Sequence, residues 1–138
     1  MFRLSAKVLV SYTNQVADGS LESKSGPWIG WWIQGPEKGH QRMTLRFGAG
    51  EISGEGSDKS GGFGVTGEYD GEDVFLIKNY MFWQVRYTGK WDGQMISGRW
   101  TILDGQFFDA GAYEIWPETE AESLEAISDL RELSLSPS

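Results

Sequence analysis

The side chains that most often carry out enzymatic chemistry are sparse in this sequence. His40 is the only histidine, and it stands in a polar stretch beside Gly39. A catalytic triad needs a nucleophile, a base and a group that orients the base, so one isolated histidine does not make one. Cysteine is absent, which excludes disulfides and thiolate metal sites. We therefore expect a protein that is not an enzyme and carries no cofactor.

Two glycine-containing stretches resemble ligand loops only superficially. Asp70, Glu72 and Asp73 surround Gly71, but the twelve-residue spacing of a calcium-binding EF-hand is missing. The stretch GAGEISGEG at 48–56 is not followed by the Gly-Lys-Ser/Thr of a phosphate-binding loop. We interpret the first as a solvated hairpin turn and expect no metal site.

The aromatic residues are the more informative chemical feature. The chain has seven tryptophans, and 14% of it is aromatic. On strands, such residues either fill a core or stack on a planar ligand. An eight-stranded barrel is just wide enough to be filled or to hold one small ligand. Bulky residues favour an interior that is filled or only partly open: Met43, Phe47, Phe75, Tyr87 and Trp100.

The charge and hydropathy of the chain restrict its partners. The formal net charge of −8 repels phosphate backbones, so we expect no nucleic-acid partner. Ser5, Lys7 and Ser11 interrupt the apolar residues near the N-terminus, which is unlike a secretory signal. No stretch approaches the roughly 18 apolar residues of a membrane helix. We expect a soluble cytoplasmic protein without a membrane partner.

Alternation of apolar and polar residues predicts strands along most of the chain. In 83–91, Trp83, Val85 and Tyr87 share one face, and polar residues take the other. Asp-Gly pairs and other glycines separate such segments, as in β-hairpins. The predicted strands are 2–12, 28–35, 41–47, 51–55, 62–69, 74–78, 83–91, 94–102 and 107–116.

A different pattern begins at Pro117. The last segment lacks glycine and aromatic residues, and its apolar residues fall three or four apart: Leu124, Ile127, Leu130 and Leu133. This spacing predicts an amphipathic helix that packs on the barrel, with a mobile acidic tail as the alternative. The predicted organisation is a β-barrel domain over 1–116 and an acidic helix or tail over 117–138.

The predicted fold class is all-β. Eight or nine antiparallel strands that are linked by hairpins in sequence order favour an up-and-down barrel, followed by a C-terminal α-helix. A β-sandwich is the alternative.

Several motifs resemble avidin-like barrels of the wider calycin group. They are GWWIQG at 30–35, MTLRFGAGEISGEGSD at 43–58, GEYDGEDVFLIKNY at 67–80, YTGKW at 87–91 and ISGRWTILDG at 96–105. The resemblance covers about residues 30–105. It implies a meander barrel with an interior pocket, and it implies that Phe75 and Ile77 face the interior. Lys78 would then point outward, and a buried Lys78 paired with Asp58 or Glu68 is the alternative.

The same resemblance implies a set of pocket residues. Aromatic walls of avidin-like proteins fall on Ile77, Tyr87 and Trp100, of which only Trp100 keeps the tryptophan. The asparagine that binds the ureido group falls on Gln34, and a serine falls on Asp58. The tyrosine of the second strand falls on Gly56. Because these polar groups differ, we expect no tight biotin binding. The candidate lining is Trp32, Gln34, Asp58, Ile77, Tyr87 and Trp100.

Two functions follow from these patterns. The first is a non-catalytic barrel that binds a small hydrophobic or aromatic ligand. The second is a structural or protein-interaction domain with a filled barrel. It would associate with partners or with further copies of itself through its outer face or C-terminal helix, and Trp28 and Trp31 are its candidate interface residues.

Overall fold

The computed structural model describes residues 20–119, apart from the side chain of Leu103. A short 3₁₀ helix, Leu21–Lys24, precedes eight strands. The strands are β1 (Gly26–Gln34), β2 (Glu37–Gly48), β3 (Glu51–Asp58), β4 (Gly61–Asp70), β5 (Asp73–Asn79), β6 (Gln84–Trp91), β7 (Ile96–Asp104) and β8 (Phe107–Pro117).

The eight strands form one closed antiparallel barrel. Each strand pairs with the next along the chain, and β8 pairs with β1 to close it. The predicted meander barrel is therefore confirmed, with eight strands in the described part of the chain. The predicted strand at 2–12 and all but the first residues of the segment predicted to be helical lie outside the described residues. No α-helix occurs within 20–119.

Tight turns explain why sequential strands pair so regularly. Ala49 and Gly50 connect β2 to β3 with φ values of 53° and 80°. Positive φ at both central residues is the geometry of a type I′ turn, whose twist matches that of the flanking strands. Gly35, Gly71 and Gly105 also have positive φ in the turns after β1, β4 and β7. The glycine positions therefore fix the hairpins.

One end of the barrel is closed by an apolar core. The Trp28 ring lies 5.5 Å from Phe47 and 5.8 Å from Trp91, centroid to centroid. Leu21 is buried beside this group, and Trp28 Nε1 donates a hydrogen bond to the Lys24 carbonyl at 2.8 Å. The 3₁₀ helix is thus tied to the closed end. Trp28 belongs to the core and not to an interface.

Interior glycines make room for the large rings. A Cβ atom on Gly39 would lie 2.1 Å from the Trp32 ring. On Gly111, it would lie 2.0 Å from the Ile33 carbonyl oxygen and 2.7 Å from Trp100 Nε1. All three distances are too short for a Cβ atom, so a glycine on one strand complements a tryptophan on its neighbour.

The phase of β5 is opposite to the predicted one. Val74, Leu76 and Lys78 are buried inside the barrel, whereas Phe75 is 37% exposed and Ile77 lies on the outer face. The prediction that Phe75 and Ile77 face the interior is therefore wrong. Residues 74–77 are all apolar, so alternation does not show which of them face the interior. The register of pairing with β4 decides this instead.

That pairing places Val74, Leu76 and Lys78 opposite interior positions of β4. Their partners are Tyr69, Gly67 and Val65. Directly opposed residues of an antiparallel pair lie on the same face of the sheet. Lys78 therefore points inward despite its charge.

Candidate functional site: a cavity at the open end

A cavity of about 270 Å³ lies at the end of the barrel opposite the 3₁₀ helix. The turns at 35–36, 59–60, 80–83 and 105–106 surround it, and we call this the open end. Its lining residues are Trp32, Gln34, Asp58, Ser60, Lys78, Tyr80, Trp83, Val85, Tyr87, Trp100, Ile102, Asp104 and Phe107. The barrel interior is thus filled at one end and open at the other.

Most of the predicted lining residues meet in this cavity. Trp32, Gln34, Asp58, Tyr87 and Trp100 all contribute to its wall. Ile77 does not, because the phase of β5 turns it to the outer face. Whether the other five bind a ligand stays a prediction.

The sequence-based set also missed part of the lining. Val85 and Ile102 share the alternation of Tyr87 and Trp100, so parity alone identifies them. Lys78 was missed because the predicted phase of β5 was reversed, and Tyr80 was missed because it lies in the turn between the predicted strands 74–78 and 83–91.

A buried polar cluster forms the inner wall of the cavity. Lys78 Nζ donates to Asp58 Oδ2 at 2.9 Å, to Gln41 Oε1 at 3.0 Å and to the Tyr87 hydroxyl at 3.1 Å. The side chains of Lys78 and Asp58 are only 3% and 1% exposed. An ammonium has three protons to donate, and here all three have acceptors. The open alternative of a buried Lys78 paired with Asp58 is therefore the one observed.

The Asp58 carboxylate is also well satisfied. The Tyr80 hydroxyl donates to its Oδ2 at 2.5 Å, and the backbone N–H of Ser60 donates to its Oδ1 at 2.8 Å. The Tyr87 hydroxyl donates to Gln41 Oε1 at 3.3 Å. We call Gln41, Asp58, Lys78, Tyr80 and Tyr87 the Lys78 network. It links β2, β3, β5, the β5–β6 turn and β6 across the barrel interior.

Burial shifts the acid–base behaviour of this network. Burial lowers the pKa of Lys78, and the charge and hydrogen bond of Asp58 oppose that shift. Burial, together with the hydrogen bond to Asp58, raises the pKa of Tyr80. Burial likewise raises the pKa of Tyr87 and of its neighbour Tyr113. The phenols therefore stay protonated and remain donors at neutral pH.

Aromatic faces surround the cations at the open end. Lys78 Nζ lies 4.3 Å from the Phe63 ring centroid and 5.0 Å from that of Tyr87. On the turn after β3, Lys59 Nζ lies 5.7 Å from the Trp32 centroid. These distances are within the range of cation–π attraction.

Two further carboxylates lie on the β7–β8 hairpin. Asp104 lines the cavity and is exposed to solvent. Asp109 Oδ2 accepts a hydrogen bond from Gln34 Nε2 at 2.7 Å. Among residues 20–119, no cation forms an ion pair with either carboxylate.

Within residues 20–119, two buried side-chain polar atoms have no hydrogen-bond partner. They are Trp32 Nε1, on a residue of the cavity wall, and the hydroxyl of Tyr113, deeper in the barrel. Unpaired buried donors are uncommon in folded proteins. Trp32 therefore brings an unused donor to the wall of the cavity.

Large apolar side chains are exposed beside the same opening. Met81 and Phe82, in the turn after β5, are 85% and 91% exposed. Phe107 and Phe108, at the start of β8, are 57% and 64% exposed. We call these four residues the apolar rim. Turn tips are usually polar, and exposed apolar side chains of this size are uncommon on soluble monomers.

The described residues offer no metal centre. Within 20–119, no group of three or more histidine, cysteine, aspartate or glutamate side chains could hold a metal ion. His40 is exposed on β2, where it pairs with Trp31 across the sheet.

No protein-family model matches this chain, and no curated protein matches it. The closed eight-stranded meander is compatible with a calycin-like barrel. In the described part of the chain, no helix has the length and apolar character needed to cross a membrane.

Proposed function

We propose that this protein is a non-catalytic barrel that binds a small aromatic or hydrophobic ligand in the open-end cavity. The cavity itself is the observation that carries the proposal. Its wall is built of aromatic rings and contains a few polar groups, and one end opens to solvent. Ligand sites typically combine a mostly apolar wall with a few convergent polar groups.

The size of the cavity limits the ligand. About 270 Å³ is just under the lower limit of roughly 300 Å³ for typical ligand pockets. The ligand is therefore smaller than most drug-sized molecules. Its planar body would stack on Trp32 or Trp100, and a polar edge would reach Gln34. The side-chain amide oxygen of Gln34 has no hydrogen-bond partner among the described residues.

Filling the cavity tests this function. Ile102→Trp replaces an aliphatic side chain at a half-buried lining position by a bulky indole ring. Thr101→Trp places the same ring on the opposite face of the strand. A library of small aromatic compounds is screened against both variants and the unmodified protein by ligand-observed NMR. We expect hits that Ile102→Trp weakens and Thr101→Trp leaves unchanged.

Two results would contradict the proposal. One is a set of hits that both variants bind equally well. The other is a complete absence of hits for the folded, unmodified protein. Thermal melts of both variants establish that a lost signal does not come from unfolding.

The apolar rim supports a second candidate, a protein-interaction domain. Four large apolar side chains that are exposed on two turns at the same end of the barrel are unusual on a monomer. Light scattering over a range of concentrations, for the unmodified protein and for Met81→Ser/Phe82→Ser, tests self-association through this surface. Phe75→Ser is the matched control, because Phe75 is exposed on the side wall of β5 and lies outside the rim. A mass that equals one chain at every concentration contradicts self-association.

A further inference from the structure

We propose that the ligand of the open-end cavity is a small organic cation with an aromatic or alkyl body. This inference rests on the proposed function and specifies the chemical class of the ligand. It follows from the balance of charge at the open end, from the hydrogen bonds of the buried lysine and from the aromatic wall.

The charged side chains among the described lining residues are Asp58, Lys78 and Asp104, so the lining has one negative charge in excess. Lys59 forms an ion pair with Glu37, and Lys78 forms one with Asp58. These two pairs are neutral overall. Asp104 remains in the lining, and among residues 20–119 no cation forms an ion pair with it, although Arg86 lines the neighbouring outer groove that Asp104 also borders. The net charge of −8 for the whole chain adds an attraction for cations at longer range.

The buried lysine does not offset this excess for an incoming anion. All three donors of Lys78 are already used by Asp58, Gln41 and Tyr87. An anionic ligand would have to displace one of these acceptors, and the displaced acceptor would be left buried without a partner. Lys78 is the one cation among the described lining residues, and it is thus unavailable, which disfavours carboxylates and phosphates.

The aromatic wall favours cations directly. The face of an aromatic ring carries negative electrostatic potential, and rings of Trp, Tyr and Phe attract ammonium groups within about 6 Å. Two lysines of the chain already sit over rings here, Lys78 over Phe63 and Lys59 over Trp32. Trp83, Trp100 and Phe107 also line the cavity, and neither lysine lies over any of these three rings. They supply the wall on which a ligand cation would rest, next to Asp104.

Matched probes separate charge from shape. Phenyltrimethylammonium, its uncharged isostere tert-butylbenzene and the anion benzoate are titrated by ligand-observed NMR at low ionic strength. We expect the cation to bind about fivefold or more tightly than the uncharged isostere, as cation–π attraction would give. We expect no binding of benzoate.

Two carboxylate variants then locate the effect. Asp104→Asn removes charge at the cavity and should weaken binding of phenyltrimethylammonium by about two- to fivefold, the range for an exposed charge pair. It should leave tert-butylbenzene unchanged. Asp70→Asn is the control, because Asp70 is an exposed residue of the β4–β5 hairpin at the closed end. It removes the same charge and should change neither probe.

Binding of tert-butylbenzene or benzoate that equals or exceeds that of the cation overturns the cation preference and leaves the proposed binding function standing, and so do hits in the aromatic screen when none of the three probes binds. Equal losses in Asp104→Asn and Asp70→Asn overturn the role of Asp104. If no probe binds and the wider aromatic screen also fails, the proposed function falls, and the cation preference falls with it.

Discussion

Replacing Lys78 with methionine is the sharpest test of how the barrel interior is built. Methionine has nearly the length of lysine but no charge, so Lys78→Met removes the ammonium with little change in volume. Asp58 then keeps its buried carboxylate and loses the one ion-pair partner that it has among residues 20–119. Both side chains are almost fully buried, so solvent does not screen the loss. Removing one member of a buried ion pair costs about 3–5 kcal/mol.

The expected loss is large enough to measure by urea denaturation. With a slope of about 2 kcal/mol per molar urea, the midpoint should fall by about 2 M. Asp58→Asn should have a similar effect, because it leaves the Lys78 ammonium uncompensated. The double variant should cost clearly less than the sum of the two, by about 1 kcal/mol or more, because it leaves no buried charge.

A surface pair in the same barrel provides the control. Lys90 pairs with Asp73, but both side chains are more than 70% exposed. Lys90→Met should therefore leave the midpoint almost unchanged. A Lys78→Met variant as stable as Lys90→Met would refute the account of the Lys78 network. Strict additivity of the two single changes at 78 and 58 would refute the coupling between them.

Two further predictions concern pH and biotin. The pKa values of Tyr80, Tyr87 and Tyr113 are raised above 10, the ordinary value of a tyrosine side chain. Above pH 10, the unfolded chain therefore releases phenolic protons that the folded chain retains. Stability therefore falls as pH rises in that range. The lowered pKa of Lys78 acts in the opposite sense, but only up to its ordinary value of 10.5. Above pH 10.5 we expect the melting temperature to fall steadily as pH rises. Most of the tyrosinate absorbance should appear only when the protein unfolds. Titration of the tyrosines at their ordinary pKa in the folded protein would contradict this. In calorimetry, biotin should bind no more tightly than micromolar, because Gly56 offers no hydroxyl and Asp58 is tied to Lys78; a nanomolar dissociation constant would overturn that assignment.

The strands were predictable because their signals are local. Glycine-containing turns and period-two alternation identified all eight strands of the described barrel, and the alternation from Trp83 to Tyr87 gave the correct face of β6. The predicted ends of the strands were less accurate. For example, β3 was predicted at 51–55, whereas it extends to Asp58. The second half of β3 contains Gly56 and Ser57 but no apolar residue that would predict a strand. Backbone pairing with β2 and β4 holds this part of the strand in place.

The Lys78 network could not be predicted in the same way. Its acceptors come from strands that are distant in sequence, with Gln41 and Asp58 lying 37 and 20 residues from Lys78. A lysine among apolar residues is normally assigned to the surface, because burial of an unpaired charge is costly. Only the closed barrel shows that three acceptors converge on one ammonium. The same closure brings together the lining residues that alternation had placed on separate strands.

The position of the Lys78 network explains why the barrel is filled at one end and open at the other. Well-packed apolar residues often stabilise a core as much as a buried ion pair does, so stability alone is a weak reason for charges in this interior. Below the network, Trp28, Leu45 and Ile115 pack as an ordinary core. At the network, fixed hydrogen bonds hold Tyr80 and Tyr87 from separate parts of the barrel, and the space beyond them stays open. Apolar side chains at 58 and 78 would be free to move into that space. The ion pair therefore lies between the packed core and the cavity, and it connects the stability loss expected for Lys78→Met with the ligand binding proposed for the open end.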